Sequence, residues 1–123
     1  MTDDEWERCR VLFGPWVPGE QERARIVRNP DVDATGMELM GRFDVLGDLA
    51  RVDCSTLLVC VGEIDPVTPV AAAREIVDAL PDGRARLEVI EGAGHFPWRD
   101  APDRYWPILS DFVTTAASAP TRT

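Results

Sequence analysis

The chain has 123 residues, 45% of them hydrophobic and 28% charged, with a net charge of −9. That suits one modest globular domain, and the acidic balance repels phosphate backbones, which argues against nucleic acid as a partner. No apolar run approaches the roughly 20 residues that span a bilayer, and the start, Met1-Thr-Asp-Asp-Glu-Trp-Glu, lacks the apolar stretch of a signal peptide. No membrane association and a cytoplasmic location are therefore expected.

In chain order, Asp3 to Phe13 reads as a helix capped by Asp3 or Asp4, with Trp6, Cys9 and Phe13 on one face. Gly14-Pro-Trp-Val-Pro-Gly19 breaks it. Glu20 to Arg28 is a second, strongly charged helix that Asn29-Pro30 ends. Asp31 caps a third helix to about Arg42, with Met37 and Met40 as its apolar contacts. Phe43 to Val52 forms a turn and a short helix carrying Leu46 and Leu49. These narrow apolar faces predict that the helical first third, residues 1–48, lies on something else.

The pattern changes at Ser55. Thr56 to Val61 is a continuous apolar run without alternation, the mark of a strand buried on both faces in a parallel sheet. Thr68 is placed to cap a helix with Pro69 in its first turn, and Val70, Ala73, Ile76, Val77 and Leu80 form the inner stripe. Arg86 to Ile90 is a second strand. Asp100 caps a final helix with the stripe Tyr105, Ile108, Leu109, Phe112 and Val113, and Pro107 is an interior cost. A frayed tail follows, with residues 116–123 outside the core. The class is α/β: a strand–helix–strand–helix unit over residues 49–115 with parallel strands, preceded by helices.

Cys9, Cys54 and Cys60 are odd in number and form no C-x-x-C, which disfavours a disulfide framework or a zinc site. Cys60 falls inside the first strand and reads as a small buried hydrophobe.

Two stretches carry the chemistry. Leu57-Leu-Val-Cys-Val-Gly-Glu-Ile-Asp65-Pro is a strand ending in glycine and an acid. Val89-Ile-Glu-Gly-Ala-Gly-His95-Phe-Pro-Trp98 is a strand ending in two glycines and the single histidine of the chain. In parallel sheets, functional residues collect at the carboxyl ends of strands. Adjacent strands lie about 4.8 Å apart, so pairing would bring Asp65 to the His95 imidazole. A carboxylate on one ring nitrogen sets the tautomer and stabilises the imidazolium. Gly92 and Gly94 are read as allowing the sharp turn before His95, with Gly62 and Pro66 serving Asp65 in the same way.

Gly62-Glu-Ile-Asp65-Pro-Val-Thr-Pro69 and Glu91-Gly-Ala-Gly-His95-Phe-Pro-Trp resemble the C-terminal part of α/β-hydrolase-fold enzymes, with the nearest look to the proline iminopeptidase-like branch. The resemblance implies a partial α/β-hydrolase fold preceded by cap-like helices, with Asp65 and His95 as the acid and base of a catalytic triad. It also implies hydrolysis of a small ester or a peptide such as a prolyl amide. Ser55 stands where the family often has proline.

The family's nucleophile sits in a G-x-S-x-G elbow, which this sequence lacks. Ser55 starts a strand at the wrong end of the sheet, Ser110 is on the final helix, and Ser118 is in the tail. The expectation is a C-terminal hydrolase part, inactive by itself, completed by a chain supplying the N-terminal core. The alternative is a non-catalytic, self-associating remnant, because a lone two-stranded parallel sheet leaves an apolar edge open to pairing. Trp98 is a candidate for substrate contact, and Trp106 for core or cap packing. Glu20, Glu22 and Glu38 read as solvated surface. A weak metal site of His95, Asp65, Glu63 and Asp100 is weighed and set aside for want of a second histidine, and no cofactor is expected.

Overall fold

A computed structural model describes residues 2–27 and 29–118. Strand β1 (Leu57–Gly62) and strand β2 (Ala85–Ile90) pair in parallel, with Leu57 opposite Ala85 and Gly62 opposite Ile90. Helix α4 (Val70–Ala79) connects them and packs on both. The core lies where this helix, the strands and the loop after β2 meet, with Val61, Ala73, Leu80, Ile90 and Ala93 buried. The pairing brings the ends of β1 and β2 side by side, so the loops that follow them share one edge of the sheet.

Burial of β1 departs from expectation. Val61 and Gly62 are buried, but Leu57 to Cys60 are half-buried. Among the described residues, β1 has a neighbour on one edge, so its apolar side chains are covered incompletely. Arg84 secures the approach to the strand by donating to the carbonyls of Val52 and Cys54 at 3.4 and 3.2 Å.

The helix starts differ from the sequence reading. Helix α1 (Asp3–Cys9) is capped by Thr2, one residue ahead of the acids expected there, and continues as a short 3-10 turn over Arg10–Leu12. In return the Thr2 N–H donates to the Glu5 carboxylate at 2.7 Å, completing a capping box. Helix α2 (Glu20–Ala24) is shorter than expected, having almost no apolar stripe to bury, and Arg28 lies outside the described residues. Helix α3 (Pro30–Met40) takes its cap from Asn29, whose side chain accepts the N–H groups of Asp31 and Val32. Asp31 therefore lies inside the helix it was expected to cap. A 3-10 turn follows at Leu46–Arg51.

Helix α4 begins at Val70 with Pro69 as its cap residue and no side-chain cap bond, so Thr68 does not cap it. Ile76, expected on its inner stripe, is exposed. After β2 come helix α5 (Pro97–Asp100) and helix α6 (Pro102–Ser118), which contains Pro107. Asp100 lies at the end of α5, and its carboxylate bonds elsewhere than at the start of α6. Helix α6 runs to Ser118, past the point at which a frayed tail was expected. The rest of that tail, residues 119–123, lies outside the described residues.

The first third does lie on another part of the chain. Phe13 stacks on Trp6 at 5.4 Å and on Phe96 at 5.2 Å, joining α1 to the loop that carries His95. Helix α3 is less covered: among the described residues Val32, Met37, Leu39 and Met40 are all more than 60% exposed.

Candidate active site

Asp65 sits in the turn after β1, and His95 in the loop after β2. His95 Nδ1 lies 3.0 Å from Asp65 Oδ2 and 3.2 Å from Oδ1. The Asp65 side chain is 4% exposed and that of His95 30%. An almost fully enclosed carboxylate thus faces an imidazole that keeps an open side. The sequence expectation that these two residues meet agrees with this geometry.

Local chemistry explains how each is held. Asp65 Oδ1 accepts the backbone N–H groups of Val67 at 2.8 Å and Thr68 at 3.0 Å, a turn in which aspartate caps the chain two and three residues on. Oδ2 accepts the Thr68 hydroxyl at 2.7 Å. Burial pushes the Asp65 carboxyl up, but the Thr68 hydroxyl, His95 and the two amides outweigh it and hold it down to about 2. Asp65 is therefore a fixed negative charge at neutral pH, suited to orienting an imidazole and unsuited to taking a proton itself.

The two glycines before His95 serve different ends. Gly92 has φ +70°, which favours a residue without a Cβ, whereas Gly94 has no positive φ. Gly62, at the end of β1, answers to close approach: a Cβ there would collide with the Ala93 and Gly94 carbonyls. The Ile64 N–H donates to the Ala93 carbonyl at 3.0 Å, and Glu63 accepts the Gly92 N–H at 2.9 Å. These bonds stitch together the two loops that carry Asp65 and His95.

The remaining candidates fall around this centre. Phe96 meets the His95 ring edge-on at 5.3 Å, and Trp98 meets Phe96 at 5.6 Å. Trp98, 39% exposed, thus stands one ring away from the histidine. Trp106 on α6 is 52% exposed against Tyr105, so of the core or cap packing expected for it the core alternative does not hold. Glu63 and Asp100, weighed as metal donors, instead receive backbone amides. Among the described residues, no group of three or more His, Cys, Asp or Glu could hold a metal ion. Burial, reinforced by Glu88, raises the Cys60 thiol above its ordinary range, so it stays protonated.

Two residues here escaped the sequence reading. Thr68, placed by the sequence to cap a helix, instead serves Asp65; the Asp-x-x-Thr spacing is the available signal. Asp100 accepts the N–H of Trp16 at 2.6 Å and of Gly94 at 2.7 Å, and no local spacing announces a partner 84 positions away.

The profile of the alpha/beta hydrolase family matches residues 1–107. The chain belongs to the alpha/beta hydrolase family.

Solved structures agree on this fold. A thermophilic esterase from Thermogutta terrifontis superposes with a TM-score of 0.64 at 25% identity, over 79% of this chain and 35% of the esterase. A serine hydrolase involved in carbazole degradation gives 0.71 at 18% identity, over 89% of this chain and 45% of that enzyme. A bacterial membrane phospholipase A gives 0.72 at 18% identity, over 96% and 40%. Curated relatives from Mycobacterium tuberculosis and Mycobacterium bovis, both uncharacterized proteins, are 40% identical over 58 residues. That stretch is 47% of this chain but 16% of each relative. This family member therefore corresponds to less than half of each such structure, and its architecture is a partial α/β-hydrolase fold. Among the described residues, no helix is long and apolar enough to cross a membrane.

Proposed function

We propose that this chain supplies the acid–base half of a serine hydrolase acting on small esters. The observation that carries the reading is the buried, ionised Asp65 held 3.0 Å from Nδ1 of a partly open His95 at the carboxyl ends of two parallel strands. With Nδ1 engaged, Nε2 is the nitrogen left to work as a base. It would take the proton of a serine hydroxyl as that oxygen attacks the ester carbonyl, then return the proton to the departing alkoxide. Asp65 stabilises the imidazolium between the two transfers. The likeness to an esterase at 25% identity supports an ester substrate. A prolyl amide, suggested by the resemblance to the proline iminopeptidase-like branch, is the finer variant of the same chemistry.

The nucleophile is proposed to lie on a polypeptide segment outside these 123 residues that carries a G-x-S-x-G elbow. Ser55 precedes β1, at the end of the sheet opposite His95, and Ser110 and Ser118 lie along α6. The isolated chain is accordingly proposed to be inactive. The test is hydrolysis of a p-nitrophenyl ester by the chain alone and by the chain mixed with an elbow-bearing polypeptide encoded directly upstream. Turnover is expected in the mixture, with His95→Ala lowering it about 10³-fold or more. Labelling of the isolated chain by a fluorophosphonate would overturn the reading.

A second reading is favoured by the uncovered apolar side chains of α3 and the half-buried β1: a non-catalytic domain that self-associates through these surfaces. Light scattering after gel filtration separates the two. A stable monomer in dilute solution counts against self-association.

A further inference from the structure

We infer that Asp100 is a positioning residue for His95, acting through the backbone of Gly94 and tying the His95 loop to the strap at residues 14–16. This rests on the reading of His95 as the base. One carboxylate makes both connections: Oδ2 accepts the Gly94 N–H at 2.7 Å, and Oδ1 accepts the Trp16 N–H at 2.6 Å. Gly94 directly precedes His95, so fixing its N–H fixes the direction from which the imidazole leaves the chain. Short helix α5 returns Asp100 over the loop, with its own N–H bonded to the Phe96 carbonyl at 3.0 Å.

The strap is closely seated. A methyl group at Gly94 would stand 2.9 Å from the Gly14 Cα, so the two backbones touch. The Arg99 guanidinium lies 4.9 Å over the Trp16 ring, and Phe13 bridges Trp16 to Phe96. Bonds from N–H groups to a carboxylate are stronger than those to a neutral acceptor. Asp100 is thus the polar centre of an otherwise aromatic junction between strap and loop. With that centre intact, the loop holds Nδ1 of His95 against Asp65 and keeps the ring in the Nδ1–H tautomer. Without it, Gly94 loses its acceptor and the ring relaxes toward the Nε2–H form that free imidazole prefers.

The chain has a single histidine, so ring 15N chemical shifts at high pH report the His95 tautomer ratio without ambiguity. In Asp100→Ala we expect the Nδ1–H to Nε2–H ratio to fall about fivefold, the effect of one ordinary hydrogen bond. Asp100→Asn, which keeps one acceptor oxygen, should fall between that variant and the parent. Amide-exchange protection of Val61 and Ile90 reports whether the sheet is intact, and if Asp100→Ala loses it, Asp100→Asn is the deciding variant. An unchanged ratio with the sheet intact overturns the inference. Loss of sheet protection in both variants also overturns it, since the role would then be global. Asp65→Ala separates the two readings. If it leaves the ratio unchanged, the acid–base reading fails; if it shifts the ratio and Asp100→Ala does not, only the positioning role fails.

Discussion

The Thr68 hydroxyl donates to Asp65 Oδ2 at 2.7 Å while its oxygen lies 3.5 Å from His95 Nδ1. One small side chain therefore borders both members of the pair. It satisfies the second oxygen of an almost fully enclosed carboxylate, where an unmet acceptor is costly.

Thr68→Val keeps the shape and removes that donor. The Asp65 carboxyl should rise, because a bond favouring its charged form is gone. Stability at pH 7 should fall by about 1–2 kcal/mol. Carboxyl-carbon NMR titration and urea unfolding measure the two effects, and a carboxyl that stays near 2 would show that the amides suffice.

Asp65 also sets an acid limit. Its folded value of about 2 lies below its ordinary value of 3.8. A depressed carboxylate contributes stability that is fully present above the unfolded value and is lost as pH falls through the folded one. The contribution is about 2 kcal/mol, and the loss should occupy the window from about pH 4 to pH 2. Asp65→Asn should flatten the urea midpoint across this window. An unchanged slope would assign acid unfolding to other carboxylates.

Gly62→Ala places a methyl group against the Ala93 and Gly94 carbonyls, which are backbone atoms without a rotamer to move. The loop carrying His95 must shift or β1 must. We expect a loss of about 2–4 kcal/mol in thermal unfolding, the upper range for overpacking. Gly36→Ala is the control, because nothing stands within 4 Å of a Cβ there and α3 continues through that position. It should be neutral or stabilising by up to about 1 kcal/mol.

The cysteines should separate by reactivity. Cys54 is exposed, whereas burial and Glu88 keep the Cys60 thiol protonated. Iodoacetamide at pH 7.5 should modify Cys54 first and leave Cys60 intact until the chain unfolds. Mass spectrometry of timed digests checks this order, and early modification at Cys60 would mean that β1 opens readily.

Much of the candidate site was legible because its signals are local. An apolar run, a glycine and an acid mark the end of β1, and a second apolar run with Gly92 and His95 marks the end of β2. Parallel pairing does the rest, since Gly62 stands opposite Ile90 and the two loops leave from the same edge. The helix caps were misread by one or two residues. Thr2, Asn29 and Pro69 compete with neighbouring Asp31, Thr68 and the N-terminal acids, and backbone geometry selects the winner.

The sequence by itself determined the identity of the Asp65–His95 pair, the βαβ order and the lack of an elbow serine, because each is written in contiguous residues. Tertiary structure decided what holds the pair in place. Thr68 turns toward Asp65 once the chain bends after β1, and Asp100 reaches Trp16 and Gly94 across the fold. It also decided that Met37 and Met40 stay uncovered. Burial and hydrogen bonding depend on neighbours distant in the chain, and spacing along a sequence carries no record of them.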